Sequence, residues 1–177
     1  MDPCVHHLQG KTELVKATEL LALLRDFYRD KLAIRQRHVA VAKYVPDYDF
    51  NNTYQYVIAR EDVQLNWLRD AISDMGGALE EVSEPEVSSA GKGAEAQSRL
   101  IGEDRDAAQR FVDTWRPRVE SMPNARHRSL LRVILGETLE QKRFFEQALA
   151  GRTDLLGRRA DGAGTGGGVL PVRWIER

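Results

Sequence analysis

Apolar residues recur at steps of three and four along four stretches of this chain, and Pro, Gly or polar segments separate the stretches. This period matches the 3.6 residues per turn of an α-helix, so each stretch predicts a helix with one buried face. The first helix is predicted over residues 12–45, before Pro46, and the second over 50–75. Asp49 or Asn51 is the predicted N-cap of the second helix.

The third helix is predicted over 98–121 and the fourth over 125–150, with a turn at residues 122–124 between them. Pro117 lacks a backbone N–H, so we expect it to kink the third helix or end it early. The periodicity places the following apolar residues on the inner faces of the four helices: Leu20, Leu24, Phe27, Ile34, Val41, Val45, Tyr54, Val57, Ile58, Leu65, Leu68, Ile72, Ile101, Ala108, Phe111, Trp115, Met122, Leu130, Leu131, Ile134, Phe144, Phe145 and Ala148.

The order of these elements predicts an all-α protein, an antiparallel four-helix bundle with one long crossover connection. That connection is the Glu-, Ser-, Gly- and Ala-rich stretch over 78–97. The predicted organisation is an N-terminal arm over 1–11, the bundle over 12–151 and a flexible Gly-rich C-terminal tail over 152–177. Within the tail, residues 169–175 (VLPVRWI) are apolar enough to dock on a protein surface.

Composition and charge narrow the functional classes. The chain has 26 Lys and Arg against 27 Asp and Glu, a formal net charge of -1, so it lacks the basic excess typical of nucleic-acid binding. Cys4 is the only cysteine, and no apolar run approaches the ~20 residues that span a membrane. We therefore expect a cytoplasmic protein with no nucleic-acid partner and no membrane partner.

Polar residues interrupt the apolar faces of the second and fourth helices at similar positions. Glu61 and Gln64 share the face of Leu65 and Leu68. In the fourth helix, Glu137, Glu140 and Gln141 share the face of Phe144. This pattern predicts an inward-facing polar layer that comprises Lys31, Glu61, Gln64, Glu137 and Gln141.

The stretches AREDVQLNWLRDAI and GETLEQKRFFEQAL, with the four-helix layout, resemble the ferritin-like, rubrerythrin-type superfamily over the region from Glu19 to Ala150. The resemblance implies a centre in which a Glu from helices one and three joins a Glu-x-x-His from helices two and four to bind two metal ions. Glu61 and Glu137 match this pattern, but Gln64 and Glu140 stand where the two histidines are expected. In helix one the register places Lys31, and not a carboxylate, at the expected glutamate position.

These departures predict that an internal salt bridge replaces the metal ions wholly or partly. A lysine ammonium among buried carboxylates supplies positive charge and has no lone pair to offer a metal. We therefore expect no cofactor and a structural or interaction role. Whether the protein is an enzyme stays open, and if it is one, the sequence favours a di-metal oxidoreductase. Residues 169–175 are expected either to cover a groove on their own bundle or to pair with a second subunit in a homo-oligomer, for example a homodimer.

Two alternatives remain open on the sequence. The first is a di-iron or di-manganese oxidoreductase that acts on O₂ or peroxide, with Glu61, Glu103, Glu137 and Glu140 as ligands of Fe or Mn, joined by Asp30 or Asp106. The second is an unrelated helical adaptor in which these acids face solvent.

Overall fold

The computed structural model contains four α-helices, and it describes residues 3–79, 93–152 and 155–156. These are α1 (Pro3–Ala42), α2 (Tyr48–Asp74), α3 (Ala94–Glu120) and α4 (Ala125–Leu149). No strand occurs among the described residues. The prediction of an all-helical protein with four helices is therefore confirmed. None of the described helices combines the length and the apolar character that crossing a membrane requires.

The helix bounds correct several of the sequence predictions. α1 begins at Pro3, so most of the predicted arm over 1–11 is helical. A proline suits the first position of a helix because its missing N–H has no intrahelical partner there. α1 ends at Ala42 and not at residue 45, since the residue before Pro46 is disfavoured in the helical conformation. α3 begins four residues earlier than predicted, directly after Gly93.

The helix caps and Pro117 also differ from expectation. The N-cap of α2 is Asp47, whose carboxylate accepts a hydrogen bond from the Phe50 N–H. The amide of Asn51 instead donates to the carbonyl oxygens of Ala42 and Val45, which fixes the turn after α1. Pro117 does not end α3 early, because it lies in the last turn and the helix continues to Glu120. α4 is capped by Asn124, in the predicted turn.

Two apolar clusters form the core. In the first, the Phe27 ring lies 5.1 Å from the Phe111 ring and 4.9 Å from the Trp115 ring, both in edge-to-face geometry. The second contains Tyr54 and Phe145, whose ring centroids are 5.4 Å apart. The buried apolar residues are Leu24, Phe27, Tyr28, Ile34, Val41, Ala42, Val45, Phe50, Tyr54, Val57, Ile58, Leu65, Leu68, Ala71, Ile72, Leu100, Ile101, Ala108, Phe111, Val112, Trp115, Val119, Met122, Leu131, Ile134, Leu135, Phe145 and Leu155.

Leu155 belongs to the second cluster, so the predicted C-terminal tail is anchored to the core at this residue. The rest of the tail, residues 157–177, lies outside the described residues. Residues 80–92 of the predicted connection also lie outside them.

Each helix packs against two others. α1 contacts α2 and α3, and α4 contacts α3 and α2. Asn51 at the start of α2 bonds to Ala42 at the end of α1, whereas Arg25, nearer the start of α1, donates to the Ala78 carbonyl beyond α2. This arrangement leaves α1 and α4, and likewise α2 and α3, diagonally opposed across the core.

Gly77 gives a test of how closely α1 approaches the end of α2. A Cβ added at Gly77 would lie 2.6 Å from Leu21 Cδ1 and 2.8 Å from Ile72 Cγ2, whereas one added at Gly136 meets nothing within 4 Å. We expect Gly77→Ala to lower the free energy of unfolding by ~1–3 kcal/mol, since two packed side chains must shift. The matched Gly136→Ala should raise it by ~0.5–1 kcal/mol, because alanine favours the helix interior. Urea denaturation measures both, and equal effects would contradict the close approach.

Candidate functional site: a buried ion-pair layer

Lys31 lies at the centre of the polar layer. Its ammonium donates to Glu61 Oε1 at 2.9 Å, and both side chains are completely buried. It also donates to Thr138 Oγ1 and to Gln141 Oε1, each at 3.4 Å. The three donor protons of the ammonium thus find three acceptors, on α2 and on α4. The position of Lys31 on the inner face follows from its seven-residue spacing to Leu24 and to His38.

Glu61 is held from two sides. Its Oε1 accepts from Lys31, and its Oε2 lies 2.9 Å from His38 Nδ1. An ionised carboxylate can only accept, so His38 carries a proton on Nδ1. Burial raises the pKa of the Glu61 carboxyl, but its electrostatic interactions and hydrogen bonds with His38 and Lys31 outweigh burial and bring that pKa to about 2. Glu61 is therefore ionised at neutral pH in spite of its burial.

The layer joins the two apolar clusters. The Lys31 ammonium lies 5.8 Å from the centroid of the Phe111 ring in the first cluster. The His38 ring packs against Tyr54 and Phe145 of the second, at centroid distances of 5.9 and 5.3 Å. Three buried polar atoms here, His38 Nε2, Gln64 Oε1 and Gln141 Nε2, make no hydrogen bond within the described structure.

A second polar group lies at the edge of the layer, between α2 and α4. Gln64 Nε2 donates to Glu137 Oε2 at 2.5 Å, and Arg60 forms an ion pair with the other oxygen of the same carboxylate. Gln64 is fully buried, whereas Glu137 and Arg60 are partly exposed. Glu137 therefore does not reach the Lys31 ammonium, and the predicted layer divides into Lys31, Glu61 and Gln141 at the centre and Gln64 with Glu137 at its edge.

A third polar group connects α3 to the core through Asp104. Asp104 is fully buried and accepts from the Tyr54 hydroxyl and from Arg37 Nε, both at 2.5 Å. Burial and the neighbouring Asp104 charge raise the pKa of Tyr54 well above its usual value. The phenol therefore stays protonated and acts as a fixed donor.

The four carboxylates predicted as metal ligands do not converge. Glu61 is buried, but the side chains of Glu137, Glu103 and Glu140 are 29%, 48% and 61% exposed. Glu103 pairs with Arg37 and Glu140 with Arg143, so each points toward its own basic neighbour at the surface. The predicted supplements, Asp30 and Asp106, bond to Trp115 and to Arg105.

The described residues contain no group of three or more His, Cys, Asp and Glu side chains that could hold a metal ion. On α3 the helical register explains why Glu103 is not at the centre. Asp104 faces inward, so its neighbour Glu103 points about 100° away around the helix axis. On α4, Gln141 takes the inner position beside Glu140. The residues present therefore do not fit a di-metal centre of this ligand set.

Sequence reasoning missed several members of the site, among them Asp104, Thr138 and the hydroxyl of Tyr54. Asp104 falls four residues before the buried Ala108 and seven before Phe111, a spacing that places it on the inner face. Thr138 lies four residues after the buried Ile134, to whose carbonyl it also donates. The hydroxyl of Tyr54 had no such signal, since its partner lies 50 residues away in sequence.

Fold and site together define an all-helical protein whose core holds a completely buried lysine–glutamate ion pair. Comparisons with protein-family models, with curated proteins and with solved structures found no match to this chain.

Removing Lys31 should strand the buried carboxylate. We expect Lys31→Ala to lower the free energy of unfolding by ~3–5 kcal/mol, because the buried Glu61 carboxylate then lacks the ammonium group that pairs with it. Lys43→Ala, at an exposed lysine just beyond the same helix, should change it by less than ~0.5 kcal/mol. The double variant Lys31→Met/Glu61→Gln should lose less free energy of unfolding than Lys31→Met alone, because it leaves no unpaired carboxylate in the core. Chemical denaturation decides this, and equal losses for Lys31→Ala and Lys43→Ala would show that the pair contributes nothing.

The pKa of Glu61 predicts a distinct acid dependence of stability. The carboxyl titrates at about 2 in the folded protein against an ordinary value of 4.5. Because the folded pKa is the lower one, the ionised group stabilises the protein fully above pH 4.5, and this stabilisation is lost as the pH falls toward 2. As the pH falls from 4.5 to about 2, the free energy of unfolding of the wild type should decrease by ~3 kcal/mol more than that of Lys31→Met/Glu61→Gln. Parallel pH titrations of the two proteins would refute the assignment.

Proposed function

We propose that this chain is a ferritin-like, antiparallel four-helix bundle in which an internal salt bridge takes the place of the metal centre. Its role on this proposal is structural or interactive, and it acts without a cofactor in the cytoplasm. The observation that carries the proposal is the 2.9 Å bond between the Lys31 ammonium and the Glu61 carboxylate, both fully buried.

The helix arrangement supports the ferritin-like part of the proposal. Contacts pair the end of α1 with the start of α2, and the two diagonal helix pairs are linked only by side chains that meet at the centre. Glu61 occupies the inner face of α2, where the superfamily resemblance expects a carboxylate ligand, and Lys31 on α1 faces it. A dimetal bundle likewise builds its centre from side chains on facing helices.

The chemistry of Lys31 supports the metal-free part. While it is charged, an ammonium has no lone pair with which to bind a metal, and its positive charge repels a cation at the same place. Glu61 accepts from Lys31 with one oxygen and from His38 with the other, so a metal ion would have to compete with a donor at each oxygen. The pair also provides the positive charge that a buried carboxylate requires.

Metal loading tests the proposal directly. Purified protein incubated anaerobically with Fe(II) and then desalted should retain well under one iron per chain, and admission of air should produce no oxo-bridge absorption. We expect Lys31→Glu to increase iron retention, because it replaces the repelling cation with a third ligand beside Glu61 and His38.

Lys43→Glu is the matched control, since it makes the same charge change at an exposed position. It should leave iron retention at the wild-type level. Two irons bound per wild-type chain would overturn the proposal and establish the di-iron oxidoreductase in its place. Equal retention by Lys31→Glu and Lys43→Glu would show that Lys31 does not exclude metal.

A further inference from the structure

An exposed apolar stripe runs along α2. Tyr56 and Trp67 are among the most exposed large apolar residues, and Val63 between them is half-buried. Tyr56 and Trp67 are eleven residues apart, which is three full turns, so they lie on one face about 16 Å from each other. This stripe lies beside the buried face of α2 and points toward the α4 side, where Arg60 pairs with Glu137.

α4 carries a matching stripe with the same spacing. Val133 is 50% exposed and Phe144, eleven residues later, is half-buried. The Tyr56 and Phe144 rings meet at a centroid distance of 6.1 Å, and Arg60 contacts Glu137 one step further along. Because residue numbers rise on α2 while they fall on α4, Trp67 lies level with Val133. We call these two neighbouring stripes, formed by Tyr56, Val63, Trp67, Leu130, Val133 and Phe144, the α2–α4 seam.

We propose that residues 169–175 of the same chain (VLPVRWI) bind along the α2–α4 seam and cover it. Five of the seven residues, Val169, Leu170, Val172, Trp174 and Ile175, are large and apolar, and they match the exposed apolar side chains of Tyr56, Trp67 and Val133 in the seam.

The lengths fit. Leu155 is buried in the second core cluster beside Phe145, so the chain leaves the described structure close to the Phe144 end of the seam. Thirteen residue steps separate Leu156 from Val169, and these span up to ~40 Å. The seven residues of the segment span ~20 Å when extended, against ~16 Å between the ends of the seam.

Covalent attachment favours this segment over a second copy of the chain. A tethered segment is present at an effective concentration in the millimolar range, whereas a second copy in a dilute solution is at micromolar concentration. Burying apolar side chains on both surfaces then requires no loss of translational freedom between molecules.

Disulfide trapping in the full chain tests the proposal. In a Cys4→Ser background, Val133→Cys is combined with Val172→Cys, and the control combines Thr114→Cys on the exposed side of α3 with the same Val172→Cys. Under oxidised glutathione, we expect an intramolecular disulfide to form at least ~10-fold faster in the Val133 variant than in the Thr114 variant. Non-reducing gel electrophoresis with mass spectrometry measures the rate and identifies the product.

Equal rates in the two variants would overturn the proposal, and so would a disulfide that links two chains, which would assign the seam to a second copy. A second measurement uses the single Val133→Cys variant in the Cys4→Ser background. Adding Trp174→Ser and Ile175→Ser should speed its alkylation by iodoacetamide at least ~5-fold, since the segment no longer covers the thiol. The Thr114→Cys thiol should react at an unchanged rate, and an unchanged Val133→Cys rate would also overturn the proposal.

Discussion

Transferring an ammonium group from water into an apolar core costs several kcal/mol, and only a close anion with well-placed hydrogen bonds offsets that cost. Lys31 meets this condition through Glu61, Thr138 and Gln141, which belong to α2 and α4. The condition is geometric, because sliding α1 by one turn would carry the ammonium ~5 Å from all three acceptors. The pair therefore selects one register among the many that apolar contacts alone would tolerate.

Polar side chains also connect the helices that are diagonally opposed across the core. α1 and α4 do not pack directly, and Lys31 bridges them at the centre. Tyr54 and Asp104 similarly bridge α2 and α3. Apolar clusters lie on either side of these bridges, so burial supplies the main driving force while directional bonds specify the arrangement. The buried charge of Lys31 is therefore balanced by another side chain of the same protein, the carboxylate of Glu61.

The two proposals concern different parts of the molecule. The proposed replacement of a metal centre concerns the middle of the bundle, where every carboxylate oxygen of Glu61 has a partner. The proposed binding of residues 169–175 concerns the outer surface between α2 and α4, where the Arg60–Glu137 ion pair interrupts the apolar side chains of the seam. The first depends on electrostatics in a low dielectric and the second on apolar burial, so either can fail without the other.

The sequence by itself determined the four helices, the turns around Pro46 and Pro123 and the inner position of Lys31, because each depends on local spacing or on local turn chemistry. It did not determine which carboxylates meet at the centre. Glu103 and Asp104 differ by about 100° of rotation, and only the packing of α3 decided that Asp104 faces inward. Partners such as Tyr54 and Asp104 lie far apart in sequence, so their meeting depends on how whole helices pack, which no local pattern encodes.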